Sequence, residues 1–312
     1  MNRPDRLANK EIVFFLANYY SGATLLAFFL NNHLRLICNG ETFPFKASET
    51  HFYTCSCGKK LNACDFYLTC ADQFRLSDLS NQHHPYFSIN PDYKTHQWAN
   101  KLVSTLAIPY FFRKSILEWS SSLRDQRDTF LNLHLDFIHK ACQYKNANIY
   151  IDNTKSIQRC ELFLDLVQPH IKIIHLIRDG RAYFHSYKKA NPTTTESDPF
   201  IAHKWQGYLN EISRLKAAHR SKLKLLIIRY EDLCENPIAE LQRICAFLAV
   251  EFDENMYLKQ KYDHHILGNK MRLNFDWTFK KNSEVWRKEL SGEEIDLCNR
   301  LQKNGLKECA YH

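Results

Sequence analysis

The chain carries a charged residue about every fourth position, yet residues 12–30 form one uncharged run close to its start. Within it, IVFFLANYYSGATLL (residues 12–26) joins an apolar stretch to a small, polar, glycine-containing turn and then to more apolar residues. A buried strand, a tight turn and a helix start satisfy this pattern, which is the layout of a phosphate-cradling loop. Free backbone N–H groups at such a turn and the positive end of the following helix together attract an anion. The frame Ala17-x4-Gly22-Ala23-Thr24 nevertheless puts Ala where a nucleotide-hydrolysing P-loop has its first Gly, and Ala again where it has its Lys. The loop has the shape of a phosphate site without the charge, so the cations must come from elsewhere in the chain.

A chain of 312 residues with 45% hydrophobic and 24% charged content can bury one large core. The expectation is a single domain over residues 1–312. Only 8 Gly and 9 Pro argue against long low-complexity tracts. The formal net charge of +8 favours anionic ligands, but Lys and Arg are dispersed, as on a solvated surface, and no nucleic-acid partner is expected. As a membrane span, residues 12–30 would hold Asn18, Ser21, Gly22 and Thr24 near the centre, beside the mixed flank Lys10-Glu11. Asn31-Asn32-His33 is no signal-peptide cleavage site. The reading is a soluble, cytoplasmic chain with no membrane span and an open oligomeric state.

Short apolar runs at 12–17, 148–152, 171–177 and 223–229 read as doubly covered parallel strands. Helical patterns follow at 24–32, 155–167, 180–190, 200–219, 237–248 and 291–303, with Pro169 and Pro237 as punctuation. The alternation predicts an α/β fold, a P-loop-like three-layer sandwich around a mainly parallel sheet. Residues 40–110 are aromatic, dotted with Cys and His, and weakly periodic. They read as an insertion or lid over the carboxyl edge of the sheet, where ligands bind in open α/β folds.

Two further strand ends carry charge. The run Ile173–Ile177 ends in Arg178-Asp179-Gly180-Arg181 and enters a helix bearing Ser186, so that Arg178 can grip a phosphate bidentately; an Arg–Asp surface pair is the alternative. The last strand ends in Arg229-Tyr230-Glu231-Asp232, and Asn236-Pro237 then opens a helix.

In this order the three strand ends resemble the sulfotransferases that use 3′-phosphoadenosine 5′-phosphosulfate (PAPS). Ser21-Gly22-Ala23-Thr24-Leu25-Leu26 is similar to the family's phosphosulfate loop, and Arg178 and Ser186 to its 3′-phosphate pair at the same spacing. Tyr230-Glu231-Asp232 is similar to its Y-E-D element, whose Tyr lies near the adenine. Lys280-Lys281 before Trp286, with Leu290-Ser291 opening the last helix, resembles its basic segment and tail. Asn39-Gly40-Glu41 sits where protein-tyrosine and many bacterial members place a Gly-Glu base, and Ile151–Lys155 (IDNTK) resembles a bacterial D-S-S-K strand end. A loop carboxylate paired with a Lys, and a helix-start surface charge, are the plainer readings of Glu41 and Lys155.

The resemblance implies sulfuryl transfer from PAPS, as co-substrate and without a metal, to a hydroxyl or amine of a small molecule or saccharide. It assigns Glu41 and Lys155 to catalysis, and Tyr20, Ser21, Gly22, Ala23, Thr24, Leu25, Arg178, Ser186, Tyr230, Lys280 and Lys281 to the nucleotide. The departures are Tyr20, where the family has Arg or Lys, and Ala23, where it has Thr. Lys155, Arg178 or Lys280 would have to supply the charge that Tyr20 does not. A PAPS-binding relative impaired in catalysis is therefore the main alternative, and a P-loop kinase or NTPase the second.

The 11 Cys include several placed singly in apolar runs, such as Cys142, Cys160, Cys234, Cys245 and Cys298, where they read as small buried hydrophobes. Cys55-Ser-Cys57-Gly58…Cys64…Cys70 stands apart and resembles a C-x-C-G…C-x-F-W element of the bacterial branch. Its opening is not the usual C-x2-C zinc hook and no His pair follows at finger spacing, so it reads as a Cys-rich packed loop, with zinc or a disulfide as alternatives. His33, His175, His185, His83-His84 and His264-His265 rank below Glu41 as bases.

Overall fold

The most apolar run of the chain becomes a strand covered on both faces. Strand β1 (Glu11–Ala17) points Ile12, Phe14 and Leu16 to one side of a sheet and Val13, Phe15 and Ala17 to the other, all at most 2% exposed. The alternation follows from the two-residue period of a strand. The computed structural model describes residues 10–41, 53–72, 108–119, 121–167, 170–221, 223–257, 264–266, 268–274 and 284–312.

Four more strands join β1: β2 (Leu36–Cys38), β3 (Ile149–Asp152), β4 (Ile171–Ile177) and β5 (Leu225–Arg229). Their order is β2-β3-β1-β4-β5 and every pairing is parallel. Ile12 lies opposite Tyr150 on one side and Ile171 on the other. Parallel neighbours require long crossovers, and helices supply them. One face packs on helices Ser121–Lys145 and Ile157–Leu166, through Leu131, Leu135, Ile138, Phe163 and Leu164. The other packs on helices Ala23–Asn31 and Pro237–Leu248, through Leu26, Phe29, Leu241 and Ile244. A third apolar cluster beyond β4 joins helices Gly180–Ala190, Asp198–Ala218, Gly292–Leu301 and Lys303–Glu308 around Trp205. The three-layer α/β sandwich expected from the sequence is present.

Four of the five strands and the helices at 180–190 and 237–248 lie where the apolar patterns put them. The expected helix at 291–303 starts on a Ser291/Glu294 capping box but breaks at Gln302, whose buried amide donates to the carbonyls of Gly180 and Ala202. Strand β2 and helices Asp65–Cys70, Tyr110–Trp119 and Ser121–Lys145 were not anticipated. β2 is three residues long, held at the edge by β3 and by Cys38 N–H donating to the Asn31 side chain at 2.7 Å. The expected insertion at 40–110 is described only in part: a bridge between Thr54 and Lys60, a 3₁₀ turn at Leu61–Ala63 and the helix Asp65–Cys70. Among the described residues no helix is long and apolar enough to cross a membrane.

Candidate active site

In a parallel sheet every strand delivers its following loop to the same edge, and where successive crossovers run in opposite directions those loops diverge to leave a crevice. Here β1 sits at such a point, between β3 and β4. A cavity of about 580 Å³ opens there, and each of the five strand ends contributes to its wall. Residues 18–25 follow β1, Glu41 follows β2, Lys155 follows β3, Arg178 follows β4 and Tyr230 follows β5. Ser186 reaches in from the second turn of helix Gly180–Ala190.

The loop after β1 is held in an unusual backbone conformation. Tyr20 has φ 62° and Gly22 φ 85°, and Gly22 starts helix Ala23–Asn31 with no side chain capping its free N–H groups. A Cβ on Gly22 would run into the ring of Tyr230, so this position needs glycine both for its φ and for the close approach. The Ser21 hydroxyl is buried without a partner among the described residues. An uncapped helix start, a buried hydroxyl and a positive-φ turn leave this loop open to an anion.

Arg178 ties the loop to β4. Its guanidinium donates to the Tyr20 carbonyl at 2.6 Å and to the Ser186 hydroxyl at 3.1 Å, and lies 4.7 Å from the centre of the Tyr230 ring. Its Nε is buried with no acceptor among the described residues. The neighbouring Asp179 does not pair with it. Asp179 caps the next helix through the Arg181 N–H and holds the Arg181 guanidinium at 2.7 Å, so the Arg–Asp pair exists, buried, and leaves Arg178 to the cavity. Glu231 accepts from the Asp179 N–H at 3.0 Å and from the Tyr311 hydroxyl at 2.7 Å, which locks the Tyr-Glu-Asp turn to the end of β4. Burial raises the Tyr230 phenol above its ordinary range, so it stays neutral and presents its ring.

Glu41 and Lys155 form a buried ion pair across the cavity wall. The turn that presents Lys155 is built by Asp152, whose carboxylate accepts from the Thr154 N–H and hydroxyl and also from Arg159 Nε at 2.7 Å. Lys155 then takes φ 62° and lies 5.7 Å from the Tyr19 ring. The Tyr20 hydroxyl accepts from the Asn191 side-chain amide at 2.9 Å, and its ring packs edge-on against Tyr187. Among the described residues the cavity wall therefore holds two cations, Lys155 and Arg178, and one anion, Glu41.

A family model described as the sulfotransferase family matches residues 13–254. The chain belongs to the sulfotransferase family. Solved structures with a similar chain path include the sulfotransferase domain of an olefin synthase from Synechococcus PCC 7002, at 19% identity and TM-score 0.47 over 93% of both chains. The sulfotransferase domain from the curacin biosynthetic pathway gives 16% identity and TM-score 0.48 over 94% of this chain and 98% of that one. Mouse sulfotransferase SULT7A1 complexed with PAP gives 11% identity and TM-score 0.40 over 97% of this chain and 89% of that one. No curated protein matches.

Eleven of the thirteen residues singled out in the sequence, from Tyr20 to Tyr230, line this one cavity. The other two, Lys280 and Lys281, lie outside the described residues. Gly268, Asn269, Met271 and Asn274 complete the wall and were not anticipated, because their segment has neither strand pattern nor motif. Gly268, at φ 116°, faces the Glu41 carboxylate, and a Cβ there would stand 3.3 Å from it. The described histidines do not line the cavity. His33 bonds the Glu251 carbonyl at 2.9 Å, His185 contacts Glu289 at 2.8 Å, and burial lowers His175 to about 3. His83 and His84 lie outside the described residues.

Proposed function

We propose that this cavity binds PAPS and passes its sulfuryl group to a hydroxyl or amine of a small molecule or saccharide. The observation that carries the reading is the convergence of all five strand ends on one crevice, with an uncapped helix start, two cations and a buried carboxylate. The residues suit a nucleotide with anionic groups at two ends: the Ser21 hydroxyl and Arg178 Nε are buried donors without acceptors among the described residues. PAPS supplies an activated S–O bond, which breaks toward its 5′-phosphate as the acceptor oxygen bonds to sulfur and releases a proton.

The N–H groups of residues 21–25 hold the anionic end of the donor, and Arg178 with Ser186 grips the 3′-phosphate that distinguishes it from ATP. Tyr230 offers a ring face already braced by Arg178 and Gly22. Lys155 stands where charge grows on the departing phosphate, taking the part of the cation missing at Tyr20. Glu41, largely buried in the cavity wall, takes the acceptor's proton. A second reading, binding without turnover, draws on two contacts: the Tyr20 hydroxyl accepts from the Asn191 amide, and Glu41 is engaged by Lys155.

Calorimetric titration with 3′-phosphoadenosine 5′-phosphate, together with single-turnover assays on radiolabelled PAPS against a panel of hydroxylated acceptors, tests both. A charge-assisted hydrogen bond contributes roughly 1.5–3 kcal/mol, so Arg178→Ala should weaken nucleotide binding by about 10- to 140-fold. Glu41→Gln should abolish transfer and leave nucleotide affinity within a few-fold. Tight binding with no transfer to any acceptor supports the second reading, and Mg²⁺-dependent ATP binding in place of nucleotide binding overturns both.

A further inference from the structure

Outside the cavity, Cys55, Cys57, Cys64 and His264 bring their three Sγ atoms and the His264 ring nitrogen within 4.8 Å of one another. Cys57 Sγ lies 3.8 Å from Cys64 Sγ, and His264 Nδ1 lies 3.7 Å from Cys55 Sγ and 3.5 Å from Cys64 Sγ. These separations can be set against an ideal metal site. A tetrahedral zinc with Zn–S of about 2.3 Å and Zn–N of about 2.0–2.1 Å has S···S edges of about 3.8 Å and S···N edges of about 3.6 Å. These three edges agree, and the other three lie within 4.8 Å. A sulfur–sulfur distance of 3.8 Å is also far beyond the roughly 2.05 Å of a disulfide, and all four cysteines of this segment are free thiols. Cys70, grouped with the others on sequence, stands outside the cluster.

The surroundings hold the four groups in place. The Thr54–Lys60 bridge and Gly58, at φ 87°, turn the chain so that Cys55 and Cys57 face the same point, and Cys64 follows one 3₁₀ turn later. The His264 ring is stacked on Phe66 at 5.0 Å and 17° and met edge-on by Tyr144 at 5.7 Å and 88°, which fixes the direction of its Nδ1. Cys55 and Cys64 are fully buried. Three thiols and one imidazole in closed four-fold array suit zinc in a structural role, with no open position for chemistry.

We infer that Cys55, Cys57, Cys64 and His264 form a structural zinc site. Its consequence is positional. His264 leads directly into Ile266, whose N–H donates to the Asn39 carbonyl, and then into Gly268–Asn274, the wall that faces Glu41. Ser56 and His265 exchange two further hydrogen bonds, and Arg272 donates to the carbonyls of Thr54 and Gly268. A metal here joins segments 200 residues apart and pins one wall of the cavity. The inference rests on these four side chains and stands whether or not the cavity transfers sulfate.

The test begins with the full-length chain purified without chelator or metal-affinity resin and analysed by plasma mass spectrometry. One zinc per chain is expected, falling below about 0.2 in Cys57→Ser and in His264→Asn, and unchanged in Cys70→Ser. Cobalt(II) loaded into apo protein should give the visible bands of a tetrahedral site and thiolate charge transfer, both lost in Cys57→Ser. Cys57 is half-exposed, so circular dichroism on that variant separates metal loss from unfolding. A folded wild-type chain that holds no metal after zinc is added overturns the inference. So does a zinc content that Cys57→Ser and His264→Asn leave unchanged.

Discussion

The close approach of Gly22 to Tyr230 gives a prediction whose size follows from two separable costs. Gly22→Ala puts an L-residue at φ 85°, at about 1–2 kcal/mol, and drives its Cβ into the Tyr230 ring, an overpacking cost of about 1–3 kcal/mol. The sum is roughly 2–5 kcal/mol of lost stability, read from urea unfolding midpoints at constant m. Only the second cost depends on the ring. In a Tyr230→Ala background the same change should cost about 1–2 kcal/mol, leaving a coupling of about 1–3 kcal/mol in the double-mutant cycle. The same variant should weaken 3′-phosphoadenosine 5′-phosphate, because relief of the clash moves the N–H groups that follow Gly22. A cost below about 1 kcal/mol in both backgrounds, with no coupling, would refute the argument. The loop would then not hold the positive-φ turn against Tyr230 on which the anion site depends.

Other outcomes can be measured alongside it. Lys155→Met leaves the buried Glu41 carboxylate without its partner and should cost roughly 3–5 kcal/mol, most of it restored by adding Glu41→Gln; equal stability of the single and double variants contradicts a buried pair. Burial holds His175 near 3, so below about pH 6.5 the unfolded chain takes up a proton that the folded chain refuses. Stability should therefore fall from pH 6.5 toward 3 by up to about 1.4 kcal/mol per unit from this group, and His175→Leu should flatten that limb; superimposable pH profiles would count against it. Because Lys155 takes the part of the missing cation, Tyr20→Arg should leave single-turnover transfer within a few-fold, whereas a rise of roughly 10- to 100-fold would show that Lys155 does not supply that charge.

The central strands were legible because burial on both faces demands unbroken apolar runs: β4 follows its run residue for residue, and β1 adds only Glu11 to its own. The site was legible for a related reason. In a parallel sheet the loops after the strands must meet at one edge, so the loop after β1, Arg178 and Tyr230 could be gathered as strand ends without knowing the strand order, whereas Glu41 and Lys155 were marked by the family resemblance. β2 was hidden by its length, since three residues show no period. Helix Ser121–Lys145 was hidden by its polar, charged first part, since the face that reaches the core begins only at Phe130 and runs through Leu131, Leu135, Ile138 and Cys142. The cysteine cluster was only half visible: Cys55, Cys57 and Cys64 are close in sequence, but His264 arrives through tertiary folding alone. For the same reason no pattern marked Gly268–Asn274, whose place depends on contacts with Asn39, Thr54 and Glu41.

The position of β1 at the centre of the sheet also sets a timetable for synthesis. Its first partner, β3, begins only after the 131 residues between Ala17 and Ile149 have been made. At about 5–20 residues per second, the ribosome takes roughly 7–26 s to reach it. Through that interval the nascent chain carries the Ile12–Ala17 strand with no sheet to enter, the kind of exposed apolar segment that invites self-association. Yield in a cell is then governed by what shelters this segment as it leaves the ribosome, and slower translation between residues 18 and 148 lengthens the exposure.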